Sequence, residues 1–116
     1  MNKFLVLFMA PAATMAEWMK TPEDERKAAE TKMRAEWDTW MKAHSGMIKE
    51  TAGAGKTKRI TSAGVMDATN DIMLFTIAEG ESADSVAKAF EGHPHFGIPG
   101  SWIDVMPAKY LTAEEM

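Results

Sequence analysis

The chain has 116 residues, of which 46% are hydrophobic and 26% charged, and these values predict one globular domain over residues 1–116. Its net charge of −4, without a basic run, argues against a nucleic-acid partner. The absence of cysteine excludes disulfides, thiolate nucleophiles and cysteine-type zinc sites.

The N-terminal stretch MNKFLVLFMAPAATMA resembles a secretory signal peptide in its single lysine, apolar run and small residues. The apolar run Phe4–Met9 is short for such a signal, and it fits a buried strand equally well. We therefore expect a strand over Lys3–Met9 in a cytoplasmic protein. No segment approaches the roughly 20 apolar residues that a membrane span requires, so no membrane partner is expected.

The next part of the chain shows two helix starts and several strand patterns. Thr14 and Glu17 match a capping box for a short helix through Met19. Pro22 opens a long amphipathic helix that ends near Gly46 and has an apolar face suited to burial. Strands are predicted at Met47–Thr51, Thr57–Ser62 and Ile72–Ile77, with a turn at Gly64–Asp71 before the last of them.

The last helix and strand enclose a loop that contains two of the three histidines. Ser82 caps the helix, and Gly92 with Pro94 ends it. The segment SWIDVM follows the loop, and its side chains are predicted to alternate between the two faces of a strand, with Ile103 and Val105 on one face.

The resulting order is β-α-β-β-α-β, with one extra strand in the middle. It predicts an α+β, ferredoxin-like fold, in which helices cover one face of an antiparallel sheet. Because the strands are apolar on both sides, the second face also needs a cover. A homodimer packed sheet against sheet would supply it, with Trp102 and Met106 as contributors.

Four stretches of the sequence resemble the YCII-related family of the dimeric α/β-barrel superfamily. They are KFLVLFMAP, EWDTWMKAHSGMI, KTKRITSAGVMDATNDIMLFTIAEGES and GHPHFGIPGSWIDVMP. The resemblance implies a ferredoxin-like domain that dimerises through its sheet into an α/β barrel, with a cleft between sheet and helices. Members of that superfamily include small isomerases, dehalogenases, cofactor-free monooxygenases and haem enzymes.

The sequence departs from the family pattern at two points. Members often carry Asp-Gly-Pro-Phe after the hairpin turn, where this chain has Gly64–Ala68, GVMDA. In some members a histidine early in the long helix and an aspartate in an Asp-Pro-Phe loop are proposed to be catalytic. Here the long helix starts without a histidine, and the loop is Gly92–Phe96, GHPHF. Only the loop position carries over, and His93 occupies it.

The histidine loop is the candidate catalytic site. His93 and His95 titrate near neutral pH and could act as general acid or base, with Asp67 as an orienting carboxylate. Alternatively, His93 stabilises the end of the preceding helix, His95 is structural and Asp67 is a turn residue. A His-x-His pair also occurs in zinc sites, but no third ligand is near in sequence, so no metal is predicted.

Four aromatic residues are candidates for lining a ligand pocket, namely Trp18, Trp37, Trp40 and Phe96. Trp37 and Trp40 have helical spacing, which fits a core position as well as a pocket. Trp18 lies on a short segment and is the better candidate for a lid.

Two functions fit this pattern best. The first is a small enzyme without an organic cofactor, an isomerase, lyase or dehalogenase that moves a proton on a compact apolar or aromatic molecule. The second is a non-catalytic homodimeric module that binds such a molecule in the same cleft. A sharply shifted histidine pKa in a cleft favours the enzyme, and an apolar cleft without converging polar groups favours the binding module. A filled cleft favours a third, purely structural interaction domain.

Overall fold

A four-stranded antiparallel sheet lies at the centre of the structure, a computed structural model that describes all residues, 1–116. The strands are β1 (Asn2–Met9), β2 (Ile48–Gly53), β3 (Thr57–Thr61), β4 (Gly64–Ala68), β5 (Ile72–Gly80) and β6 (Trp102–Pro107). The helices are α1 (Ala12–Trp18), α2 (Glu23–Ala43) and α3 (Ala83–Ala89). The main sheet has the order β2-β5-β1-β6, and β3 pairs only with β4 in a separate hairpin. This is the ferredoxin-like arrangement, so the predicted fold class is confirmed.

The strand β1 forms the middle of the sheet, because β5 and β6 pair with it on either side. Side chains alternate across a strand, and this alternation places Phe4, Val6 and Phe8 together on the face that the helices cover. All three are buried, and they form one core cluster with Val86 and Phe90 from the region of α3. The strand predicted at Lys3–Met9 is therefore confirmed, and it lies at the centre of the core.

The opposite face of the sheet is mostly apolar, although Asp104 of β6 lies beside Leu7 on it. It carries Leu5, Leu7, Phe75, Ile77 and Met106, none of which belongs to the core cluster. Cross-strand pairing places Leu5 between Ile77 and Met106, and it places Leu7 beside Phe75. These side chains remain partly exposed. We call this surface the outer face of the sheet.

The start of α1 differs from the prediction. The helix begins at Ala12, and no side chain of its own segment caps it, so the capping box at Thr14 is wrong. The Ala12 N–H instead donates to the Asp71 carboxylate over 3.0 Å. Asp71 is far away in sequence, so no local pattern could indicate this contact.

The long helix α2 begins one residue after Pro22, close to the prediction, but its apolar face is only partly covered. None of its residues is fully buried, and only Trp37 and Trp40 pack against the core cluster. The core therefore uses the C-terminal half of the helix. None of the three helices combines the length and the apolar character that crossing a bilayer requires.

The segment Gly64–Asp71 is mostly a strand rather than the predicted turn. Thr61 pairs with Gly64, so the hairpin turn is formed by Ser62 and Ala63. Gly64 has a φ of 128°, a conformation that favours glycine, and this allows β4 to start immediately. The middle of the chain therefore holds two extra strands instead of one.

Candidate functional site

The loop between α3 and β6 is fixed at both ends by local hydrogen bonds. Ser82 and Ser85 form a reciprocal capping box at the start of α3, which confirms the predicted cap at Ser82. Gly92, with a φ of 72°, ends the helical segment in the left-handed region. A short 3-10 turn over Pro94–Gly97 follows, and His93 caps it, because its Nδ1 accepts the His95 N–H over 2.9 Å.

Both loop histidines are buried, each with 2% of its surface exposed. The Nε2 of His95 lies 2.8 Å from the Met9 carbonyl oxygen. A carbonyl can only accept, so this Nε2 carries the hydrogen. The bond ties the histidine loop to the end of the central strand. A second bond, from the Ser101 hydroxyl to the His95 carbonyl over 3.1 Å, secures the other side of the turn.

Aromatic rings surround His93. The ring centroids of Trp37, Trp40 and Phe8 lie 4.4, 4.6 and 5.2 Å from that of His93. The planes of His93 and Trp37 are nearly perpendicular, at 83°, which is a favourable edge-to-face geometry. Because Nδ1 accepts a hydrogen bond, Nε2 carries the hydrogen, and this buried atom has no acceptor in the protein. The space between helix and sheet at this point is filled by side chains.

Burial changes the acid–base properties of both histidines. It lowers the pKa of His93 to about 4, and the nearby His95 and His44 add to the decrease. Burial also lowers the pKa of His95 below its ordinary value, against the opposing effect of hydrogen bonds to the carbonyls of Met9 and Trp102. His93 is consequently a neutral, weak base at neutral pH.

The four aromatic candidates lie in three different places. Trp37 and Trp40 belong to the cluster around His93, and Trp40 also stacks on His44 with centroids 4.0 Å apart. Trp18 borders a cavity of about 280 Å³ together with the loop after the 3-10 turn. Phe96 is 46% exposed, and its ring centroid lies 6.4 Å from that of His95.

Asp67 lies on β4 and forms an ion pair with Lys58 of β3. Its side chain is 84% exposed. Instead of joining the histidines, it belongs to the wall of the largest cavity, which has a volume of about 700 Å³. No histidine lines this cavity. The structure therefore brings His93, His95, Trp37 and Trp40 together and leaves Asp67 at a second location.

The cavity, which we call the edge cavity, lies where β1 ends, α1 begins and the hairpin joins the sheet. Its apolar wall includes Ala10, Ala12, Met15, Ile72 and Met73. Its polar wall consists of Lys56, Thr57, Lys58, Asp67, Thr69, Asn70 and Asp71. A volume of this size and a mixed lining are typical of small-molecule sites.

Hydrogen bonds hold part of the polar wall in place. The Asn70 amide donates to the Thr57 hydroxyl, and its oxygen accepts the Ile72 N–H, both over 2.8 Å. The Asp71 carboxylate accepts the Ala12 N–H at the start of α1. Lys56 forms no ion pair, so its ammonium group can contact a ligand.

Sequence reasoning missed this cavity as a site. The crowding of Asp67, Asn70 and Asp71 was the available signal, and turn propensity explains such residues equally well. Lys58 gave no signal of its own, because its position beside Asp67 depends on the hairpin register. No three histidine or carboxylate side chains converge in a way that would hold a metal ion.

No protein-family model and no curated protein matches the sequence. Among solved structures, the chain is similar to 5-chloro-2-hydroxyhydroquinone dehydrochlorinase (TftG) from Burkholderia phenoliruptrix AC1100, in complex with 2,5-dihydroxybenzoquinone. The TM-score is 0.51 at 17% sequence identity, and the match covers 95% of each chain. At this identity the likeness shows a shared fold, which is the ferredoxin-like arrangement described above.

Proposed function

We propose that this chain is a YCII-related protein that binds a small molecule in the edge cavity and acts as a homodimer. The single observation that supports binding is the edge cavity itself, in which an apolar wall faces a set of converging polar groups. Its ligand would be a compact ring compound with hydroxyl or carbonyl oxygens, because the apolar wall suits a ring and Lys56 suits an oxygen. The dehydrochlorinase of the same fold is described with a ligand of this kind.

Binding is better supported than proton transfer by the histidines. His93 is enclosed by rings, and neither His93 nor His95 lines the edge cavity. In the catalytic form of the proposal, Asp67 accepts a proton from a bound ligand. The ion pair with Lys58 stabilises the ionised form of this carboxylate. His95 then supports the wall from within, through its bond to the Met9 carbonyl next to Ala10, and His93 holds His95 by accepting its backbone N–H.

The binding proposal is tested by NMR titration with ring probes, namely 2,5-dihydroxybenzoquinone, hydroquinone and phenol. We expect amide shifts concentrated around the edge cavity, including Gly55 and Asn70. Asp67→Asn is expected to weaken binding of a hydroxylated probe by roughly 10- to 150-fold, since a hydrogen bond to a charged group contributes about 1.5–3 kcal/mol. Glu81→Gln removes an exposed carboxylate that is not part of the cavity wall, and it should leave affinity unchanged. Equal weakening by both variants, or no shifts with any probe, would contradict the proposal.

The homodimer is supported by the apolar outer face of the sheet. Leu7 and Phe75 are neighbours at its centre, and a soluble monomer rarely leaves a contiguous apolar patch of this kind uncovered. Sedimentation should give twice the monomer mass for the natural chain. Phe75→Asp is expected to give a folded monomer, because it places a charge in the interface. Thr31→Asp adds the same charge to an exposed site on α2 and should remain dimeric. A monomeric natural chain at all concentrations would refute the homodimer.

A further inference from the structure

The β3–β4 hairpin, residues 57–68, extends away from the rest of the molecule, and we call it the arm. Its two strands pair with each other and with no strand of the main sheet. The radius of gyration is 16.3 Å, whereas a compact domain of this length has a value of about 13 Å. A two-stranded hairpin alone is marginally stable in water. The arm therefore needs a surface to pack against.

One face of the arm carries two large apolar side chains. Ile60 and Val65 are directly opposite each other in the register, so they lie on the same face. They are 77% and 68% exposed. Lys58 and Asp67 form a further opposing pair two positions along, and alternation places them on that face too. The apolar pair thus lies next to two residues of the edge cavity.

The charge of the arm is opposite to that of the rest of the chain. Residues 57–68 contain Lys58 and Arg59 but only one carboxylate, Asp67, which gives a net charge of +1. Because the whole chain has a net charge of −4, the remaining residues carry −5. A second copy of the chain is therefore an electrostatically complementary partner for the arm.

The size of the outer face gives a second reason to choose another copy as the occupant. Four strands spaced about 4.8 Å apart and six to nine residues long form a sheet face of roughly 20 Å by 25 Å. Contact by the arm would add interface beyond this face, towards the roughly 800 Å² of accessible surface that stable dimers bury on each partner.

We propose that the arm of each protomer packs its Ile60–Val65 face against the second copy in the homodimer. Two-fold symmetry then gives two such contacts per dimer. Because Lys58 and Asp67 share that face, the partner also shields the side of the edge cavity that they form. The ligand site is thereby completed by dimerisation. This inference rests on the proposed homodimer.

The first test measures the dimer dissociation constant by sedimentation over a concentration series. The variant Ile60→Asp with Val65→Asp is expected to raise this constant at least tenfold. The control Thr61→Asp with Ser62→Asp adds the same charge at the end of the arm without altering the apolar pair, and it should change the constant less than twofold. Circular dichroism checks that the main sheet is retained in every variant. Equal dissociation constants for both variants would overturn the role of the arm.

The second test follows the arm directly, using the absence of cysteine in the natural chain. Ile60→Cys carries a dye whose emission depends on polarity, and its emission should shift to the blue over the same concentrations at which the mass doubles. A dimer whose dye emission does not change overturns the arm contact and leaves the homodimer standing. A monomer at every concentration overturns both. A blue-shifted emission that is independent of concentration means that the arm packs on its own protomer, which also overturns the inference.

Discussion

Replacing Phe8 with alanine is expected to lower the free energy of unfolding by about 3–5 kcal/mol, the range found when a phenylalanine is removed from a packed core. Phe8 is 1% exposed, and its ring meets four others. The centroids of Trp37, His93, His95 and Phe90 lie 5.0, 5.2, 5.5 and 5.9 Å from it. One substitution therefore removes contacts to α2, to the region of α3 and to the histidine loop together. Urea denaturation followed by circular dichroism measures the loss.

Phe96→Ala is the matched control for this experiment. It deletes the same type of ring from the histidine loop, at a half-exposed position with a single ring contact, to His95. We expect a loss of about 1–1.5 kcal/mol, because only about half of this ring is buried. Similar losses for Phe8→Ala and Phe96→Ala would show that the cluster around His93 is not the centre of the core.

Acidification is expected to destabilise the fold. Protonation of His93 should lower the free energy of unfolding by about 3 kcal/mol between roughly pH 7 and pH 4. The pKa of His93 is lowered from 6.5 to about 4 by burial, so the folded chain binds fewer protons than the unfolded chain in this window. The contribution of neutral His93 to the free energy of unfolding is therefore complete above pH 6.5, and it decreases as the pH falls towards 4. The lowered pKa of His95 acts in the same direction. Urea denaturation at successive pH values measures how the free energy of unfolding changes with pH.

His93→Asn distinguishes this effect from general acid denaturation. Asparagine does not titrate, and its side-chain oxygen can still accept the N–H of His95, so the cap of the 3-10 turn is retained. We expect the variant to be less stable than the natural chain at pH 7 because the ring is lost. The free energy of unfolding of the variant should nevertheless change less with pH than that of the natural chain. A slope equal to that of the natural chain would mean that folding does not lower the pKa of His93.

The fold was predictable because each element carries its own local signal. The apolar run in β1 and the capping serine of α3 depend on neighbours within a few positions, and both predictions are confirmed. The error over Gly64–Asp71 has a specific cause. Asp67 and its polar neighbours favour turns, whereas the register of the hairpin, set by the turn at Ser62–Ala63, places Asp67 in a strand.

The site was less predictable, because it depends on which distant segments meet. The pattern around Pro94 identified a rigid loop, and the structure contains one. Whether Asp67 would join His93 depended on the path of an inserted hairpin that leaves the sheet, and no local spacing encodes that path. Trp37 and Trp40 could be placed on one helix face from sequence. Their contact with His93 follows from tertiary packing.

The central position of β1 has a consequence for how the protein is made. Phe4 pairs with Pro107 on one side and with Ala78 on the other, so during synthesis β1 waits for partners up to about 100 residues downstream. At synthesis rates of about 5–20 residues per second, this wait lasts roughly 5–20 s. During that time the apolar segment Phe4–Met9 is an unpaired strand prone to aggregation. The residues that are most exposed to wrong contacts during synthesis are therefore the same residues that form the best-buried strand of the finished protein.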